Sequence, residues 1–572
     1  MLYKYFSKLM PAKIGYFIII ISLLTGFFIQ SESLFNKYNI NDDLRITIYW
    51  MQQFQDPELF QDDLLTDYAT YFSNKGNALI FYMASKFFDI DLFSKILGIF
   101  LFSISSYFIF RIVASASDLY FGLIASLAYL SSSGIPWGGN PRGFTVPLIF
   151  MFLYFLINKK YWVATAIIVI QSLFSPIAWA LSLIVYCICL FITIAGKFQF
   201  KKKNFGKIKY LILPLFVAII ISFVLLGSHY LKKDPKIGSL LSREEAYNNP
   251  ALFEGGRPGS VELPTEFVLP RLNWAFKSKG FFGFDFIDRL DRWIFNKFLK
   301  SEKKGPYLTT MISYLTIAWI FLDFFRKKNV VPREITSMLF SGMIMYYAAD
   351  IFLLKLYFPS RYIANAGAVL GLITYPLLIH FLINKIPIKN IQKLLKILLL
   401  VVIISVGFLN LKVNKFDIGS DNAPLYDYIG TLPKSVLIAA HPVEADNIPY
   451  FAKRSVYINR ETSNPHYDVF WEEISRRTRE FFDAYYAEDI HSVCNFISRN
   501  NIDYIVIKRE HFSEEYLKNQ KFYFEPFNSY INSILQQRKN FTLQQFFGQE
   551  AFFSFNNQTV IDKHSLLRMC YD

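Results

Sequence analysis

Long unbroken runs of apolar residues divide this chain, and no other feature limits its fold so strongly. They lie near positions 14–30, 92–112, 119–135, 144–157, 161–174, 177–195, 210–227, 307–325, 335–353, 362–384 and 394–410. A bilayer's hydrocarbon core is about 30 Å thick and takes roughly 20 apolar residues in helical form. Inside lipid, backbone polar groups must be satisfied within the segment, which leaves the helix as the form for runs of this length. The pattern predicts an α-helical polytopic membrane protein with about eleven transmembrane helices. Two runs, 144–157 and 161–174, are short enough to form a re-entrant hairpin. Because they are a pair, that reading removes two spans without changing the topology. Composition agrees: 53% hydrophobic and only 18% charged residues is too apolar for a soluble chain of 572 residues.

A formal charge of +15 raises the question of nucleic acid, and the placement of the charge answers it. Basic residues cluster in the short connections: Lys4, Lys8 and Lys13; Lys159 and Lys160; Lys201, Lys202, Lys203, Lys207 and Lys209; Arg326, Lys327, Lys328 and Arg333; Lys385, Lys389 and Lys393. With a cytoplasmic N-terminus, an alternating count puts every cluster inside, as the positive-inside rule requires. The loop 31–75 is acid-rich, with Glu32, Asp42, Asp43, Asp56, Glu58, Asp62, Asp63 and Asp67, and falls outside. The same count leaves residues 411–572 outside a bacterial-type inner (plasma) membrane. The charge is a topology signal, so no nucleic acid is expected as a partner and the lipid bilayer is. The first run reads as a retained anchor, because no small-x-small cleavage pattern follows it in FFIQSESL. Cys494 and Cys570 fall in the outer region and can pair in an oxidising compartment; two free thiols is the other reading.

These runs divide the chain into a membrane domain, 1–410, with outer loops at 31–91 and 228–306, and an extracytoplasmic domain, 411–572. In the first outer loop, Asp42 or Asp43 can N-cap a helix running to position 54. Ile46, Tyr49, Trp50, Gln53 and Phe54 would give that helix an aromatic face suited to the membrane interface, and 76–90 continue in the same manner. Residues 134–143, GIPWGGNPRG, form a loop dense in turn formers with one cation, Arg142. Past 410, β-rich runs at 436–440, 455–459 and 504–507 enclose helical stretches at 467–486 and 490–498, which predicts a small open α/β sheet. Its charges nearly cancel, and it is expected to fold as a unit of its own.

No Walker loop, zinc motif, nucleophile elbow or dinucleotide fingerprint is present. The strongest chemical candidates are Asp42 and Asp43, at the outer surface a short way past the first span. A carboxylate there can act as general base toward an acceptor hydroxyl or amine; the plainer reading is a helix cap beside a solvated charge. Asp43 is the preferred member. Arg142 and Arg361 offer the rigid fork that suits phosphate oxygens, or else anchor the ends of two spans. Asp350 lies within a span with Lys355 just beyond it, and a structural Asp350–Lys355 ion pair is the favoured reading. In the outer domain, His441 follows a predicted strand directly, where open sheets often bind ligands. Glu472, Glu473, Arg476 and Arg477 read as a salt-bridged solvent face.

The order of these features resembles the GT-C class of membrane glycosyltransferases, which includes protein O-mannosyltransferases, aminoarabinose transferases and oligosaccharyltransferases. The shared features are an N-in first span, an outer loop with an acidic pair in Asn41-Asp42-Asp43, interfacial helices, about eleven spans and an outer C-terminal domain. The phrases Asp56-Pro-Glu-Leu-Phe60 and Asp483-Ala-Tyr-Tyr-Ala487 are similar to those of large bacterial membrane proteins placed near this class. The resemblance implies transfer of a sugar from a polyprenyl-phosphate or polyprenyl-diphosphate donor to an extracytoplasmic acceptor. Asp43 would be the base, with Arg142, Arg361 and Lys355 near the lipid phosphate. The chain departs from the oligosaccharyltransferases in lacking a tryptophan–aspartate acceptor motif in 411–572. No cofactor is indicated; a divalent metal stays open, although the outer acidic residues lack recognisable ligand spacing. Two other functions compete: a transporter or flippase for a lipid-linked glycan, and a non-catalytic partner in envelope polysaccharide assembly.

Overall fold

The computed structural model describes residues 2–132, 134–198, 205–230, 233–253, 255–257, 307–326, 329–356 and 358–571. Lys201, Lys202, Lys203, Lys327, Lys328 and most of the loop 228–306, Glu254 and Gly259 among it, lie outside the described residues. A helix occupies each predicted run: Leu2–Phe35, Ile90–Ala116, Leu119–Ser132, Arg142–Ile157, Tyr161–Phe174, Pro176–Phe198, Phe205–Tyr230, Tyr307–Phe324, Arg333–Ile351, Pro359–Asn384 and Lys389–Asn410. By length and composition, five stretches are able to cross a membrane: Lys13–Phe35, Ile90–Ala116, Pro176–Ala195, Lys209–Gly227 and Pro359–Asn384. Leu119–Ser131, Arg142–Ile157, Tyr161–Phe174 and Met311–Phe324 are shorter apolar helices.

The outward faces are apolar, with Phe17, Leu24, Phe216, Phe223, Leu315, Leu322 and Leu394 exposed. Contiguous apolar surface of that extent needs lipid over it. Inward, Ile109, Ile112, Val113, Phe121, Ile124, Phe150 and Phe152 form a continuous buried core. Lipid tails are as apolar as leucine, so helices in a bilayer are held by close packing and hydrogen bonds. Helices Ile90–Ala116 and Leu119–Ser132 use both: Ser106 and Ser126 share a hydroxyl hydrogen bond of 2.7 Å. Gly122 lies so close to the Phe110 carbonyl and Ala114 that a Cβ would not fit.

Past 410 the chain forms a five-stranded sheet in the order β2-β1-β3-β5-β4. β1 (Leu437–Ala440), β2 (Ser455–Val456) and β3 (Tyr504–Lys508) are parallel, while β5 (Gln558–Asp562) runs antiparallel to both β3 and β4 (Phe553–Phe555). Helices Asp468–Tyr485 and Ile490–Arg499 make the crossover from β2 to β3. A disulfide between Cys494 and Cys570 ties helix Ile490–Arg499 to helix Lys563–Tyr571.

The sequence suggested a domain closed on itself, but this sheet shares a core with both outer loops. Tyr38, Leu65, Tyr68 and Ile237 bury together with Leu425, Ile438, Val456 and Phe470. Tyr68 stacks on Phe470 with ring centroids 4.0 Å apart. Backbone bridges join Asn39 to Asp417 and Leu240 to Tyr467.

This docking corrects the expectation for 42–54. The helix is a short α turn, Leu44–Thr47, followed past Ile48 by the 3-10 turn Tyr49–Phe54. Tyr49 and Trp50 do not lie in the membrane interface; they are buried in a cluster with Phe60 and with Tyr450 of the C-terminal region. Protein covers the face that lipid was expected to cover. Exposed apolar side chains follow further on, at Leu79, Tyr82, Met83, Phe87 and Phe88, on and just after helix Lys75–Ala84.

Candidate functional site

Asp43 immediately precedes helix Leu44–Thr47, yet its side chain makes no cap hydrogen bond and its backbone is already helical. The turn is closed by its neighbours instead, with Oδ1 of Asn41 and Oδ1 of Asp42 accepting from the Asp43 N–H at 3.1 and 3.0 Å. The Asp43 carboxylate turns toward the loop 134–143. Its Oδ2 accepts from Asn140 Nδ2 at 2.7 Å and from Arg142 Nη1 at 3.1 Å. No described residue donates to Oδ1. Asp42 is exposed and commits one oxygen to the backbone beside it.

Glycines bring these groups together. A Cβ on Gly138 would stand 2.4 Å from the Ser94 carbonyl oxygen, and one on Gly139 2.7 Å from Ile48 Cγ2. Only a chain without side chains at both places can lie against helix Ile90–Ala116 and beneath the turn that carries Asp43. Asn77 Nδ2 then donates to the Gly139 carbonyl at 3.1 Å. Asn140 is held from its other end as well, its Oδ1 accepting from the Arg142 N–H at 2.9 Å. Arg142 opens helix Arg142–Ile157, and no described residue accepts from its remaining side-chain N–H groups.

The other expected site residues are placed differently. Arg361 lies in the first turn of helix Pro359–Asn384, and Lys355 is exposed in the turn before it. Phe358 packs against His466 of the C-terminal domain at 5.9 Å between rings, which puts this segment at the domain's end of the bundle. The expected Asp350–Lys355 pair is corrected: Asp350 faces Arg243 of the long outer loop at 3.7 Å. His441 directly follows β1 as expected, but it is buried and caps the turn Pro442–Ala445. Burial, and then the nearby Lys508, push its pKa down to about 3, so it stays a neutral ring packed against Phe482 and His511. Glu473, Arg476 and Arg477 form ion pairs with one another along their helix. Asn140, Asn77 and the two glycines were not singled out from sequence; an Asn-Pro step inside a glycine-rich loop was the available signal for the first.

Among the described residues, no three His, Cys, Asp or Glu side chains converge as a metal would need. Asp43 holds a guanidinium on one oxygen, so the described residues assemble no ligand set for a divalent ion and no step is assigned to one.

No protein family profile and no curated protein sequence matches this chain. Among solved structures, the chain is similar to the oligosaccharyltransferase of Archaeoglobus fulgidus. The apo form aligns with a TM-score of 0.49 at 11% identity, covering 89% of this chain and 71% of that one. The complex of the same archaeal enzyme, AglB, with an inhibitory peptide and a dolichol-phosphate aligns at 0.46 and 12%, covering 91% and 72%. Its complex with Zn and sulfate aligns at 0.46 and 11%, covering 88% and 69%.

Proposed function

We propose that this chain is a membrane glycosyltransferase that moves a sugar from a polyprenyl-phosphate or polyprenyl-diphosphate donor to an acceptor at the outer face of a bacterial inner membrane. One observation carries the reading: the Asp43 carboxylate is not spent on its helix. It is held through one oxygen by Asn140 and Arg142, with the other oxygen engaged by no described residue and the side chain 29% exposed. A fixed base beside a cation is what transfer from a phosphate-linked sugar requires. The acceptor's O–H or N–H gives its proton to Asp43, and its heteroatom forms a bond to the anomeric carbon. The bond from that carbon to the phosphate oxygen breaks, and the electron pair leaves with the phosphate. Arg142, whose other donors no described residue uses, stabilises that departing charge; Arg361 and Lys355 are assigned to the same phosphate.

The disulfide supports an oxidising compartment for the C-terminal domain. A transporter would need ionisable groups free along a path through the bundle. Here the buried Lys95 is tied to Asp91, and Arg111 to the Tyr107 and Tyr154 hydroxyls. A non-catalytic partner would release no polyprenyl phosphate.

The test is release of polyprenyl phosphate from a polyprenyl-phosphate sugar by the purified full chain in nanodiscs, with water or an added hydroxyl or amine compound as the acceptor. Asp43→Asn keeps size and removes charge, and should lower the rate by on the order of 10² or more. Asp42→Asn should be milder, and Arg361→Lys should also slow release, because lysine cannot reproduce the fork. Wild-type rates in both Asn variants and in the double variant would remove the acidic pair from the mechanism.

A further inference from the structure

Two residues past Asp43, one side chain leaves the outer loop and enters the C-terminal domain. Arg45 has a side chain 13% exposed, and its guanidinium is engaged on three sides. Nη1 donates to Asn447 Oδ1 and Nη2 to Glu461 Oε1, both at 3.0 Å. Nε donates at 3.3 Å to the backbone carbonyl of Asp42. The Asp446 carboxylate stands 3.8 Å from Nη1.

The receiving side is itself fixed. Asp446 Oδ1 accepts from the Glu461 N–H at 2.8 Å, and Asn447 Nδ2 donates to the Ile418 carbonyl at 2.7 Å. Arg257, from the long outer loop, reaches the other oxygen of Glu461 at 3.2 Å. Two guanidiniums and two carboxylates from three distant segments therefore meet where water is largely excluded.

Stability does not account for such a cluster. Removing charges from water costs about what their attraction returns, and apolar replacements of the same volume often serve as well. What a charged cluster does supply is a single register between the parts it joins. Here one of those parts is the turn that carries Asp42 and Asp43, gripped at its own backbone.

We propose that Arg45 is a positioning residue, clamping the acidic turn onto Glu461, Asn447 and Asp446 so that the C-terminal domain sets where Asp43 stands. This rests on the glycosyltransferase reading for its effect on rate, though not for its effect on the turn. The clamp spans more than 400 residues of sequence, since Arg45 and Asn447 are 402 positions apart and Arg45 and Glu461 are 416.

The experiment uses the full chain in nanodiscs and breaks the clamp from each side, with Arg45→Lys, Asn447→Ala and Glu461→Gln, and the Arg45→Lys/Glu461→Gln pair. Backbone hydrogen exchange over 41–48 should speed up at least tenfold in each variant while exchange in β1 and β3 stays as in wild type. For phosphate release, kcat should fall roughly 10- to 100-fold, the scale of a misplaced reacting group, with KM for the donor changed less than twofold. Arg45→Lys, which keeps the charge, should be the mildest of the three. The paired variant should be no slower than the slower single one, because both break one contact. Unchanged exchange at 41–48 overturns the clamp even if Asp43→Asn abolishes transfer. Faster exchange with wild-type kcat overturns the positioning role. If the wild-type chain releases no phosphate, the glycosyltransferase reading fails, and the exchange result still decides the clamp.

Discussion

Gly139 controls how closely the acidic turn and the 134–143 loop approach each other. A methyl group there would meet Ile48 Cγ2 at 2.7 Å and Leu44 Cδ2 at 2.9 Å, and both side chains are fully buried. Neither has space to retreat, so Gly139→Ala should overpack the site and cost about 1–3 kcal/mol. Thermal unfolding in detergent should show the loss, and phosphate release should fall with it as Asn140 and Arg142 move from Asp43. Gly134→Ala is the comparison: nothing lies within 4 Å of its Cβ, and both readouts should stay at wild type. Part of this was legible. The loop's turn chemistry, the lone cation Arg142 and the preference for Asp43 all came from sequence. That the three meet did not, because Asn140 and Arg142 are 97 and 99 residues from Asp43 and nothing local encodes the contact. Proximity along the chain even misled: Lys355 is near Asp350 in sequence, yet Arg243 is its partner in space.

At the level of elements, the three parallel strands and both crossover helices were readable, because each carries its own apolar period. The hairpin β4–β5 was missed, although Asn556-Asn557 sits between its strands with φ of 47° and 63°. That is the backbone of a two-residue type I′ turn, and paired asparagines are an acceptable signal for it. The aromatic face at 46–54 was read correctly as one-sided but given the wrong cover, since periodicity says that a face is buried and not by what. The sheet also makes a pH prediction. Burial pushes His441 down to about 3 and His466 to about 4, and pushes His511 further, with His441 adding to the effect. Folded, these rings bind fewer protons than the unfolded chain, so stability present above about 6.5 is lost as pH falls toward 4. Asp446, raised by burial and by Glu461, and Asp63, raised to about 6 by burial, run the other way. The clean measurement is therefore a difference. Between pH 6.5 and 4.5, His441→Gln should lose stability less steeply than wild type, by up to about 1.4 kcal/mol per pH unit. Parallel slopes in pH-dependent thermal melts would show that the ring is not held neutral.

For the whole molecule, the apolar runs gave the position of each long helix, while their lengths followed from packing that the runs do not record. Helix Arg142–Ile157 is short and opens at Asp43, and helix Tyr161–Phe174 returns so that its last carbonyl accepts from Asn74 Nδ2 of the first outer loop at 3.1 Å. Both ends of this hairpin thus meet one loop, and Lys159 and Lys160 lie at its far turn. Helix Ile90–Ala116 separates the same two sides: Asp91 at one end accepts from the Tyr450 hydroxyl, and past the other end Asp118 faces Lys396 at 3.5 Å. At about 1.5 Å per residue, a helix of 27 residues holds those ends some 40 Å apart. Basic turns therefore gather opposite the sheet and the acidic pair, the asymmetry that sets orientation in a membrane. Reporter fusions after Asn158 and after Lys385 should read as cytoplasmic, and a fusion at Asp572 as external. A membrane-impermeant thiol reagent applied to intact cells should then label Cys570 only after reduction, which frees its thiol from Cys494. If every long apolar helix crosses, the count is odd whether the 142–174 hairpin spans fully or re-enters, so a cytoplasmic signal at Asp572 would overturn both versions of the predicted orientation. That single result would place Asp43 and Arg142 on the inner side, away from any external acceptor.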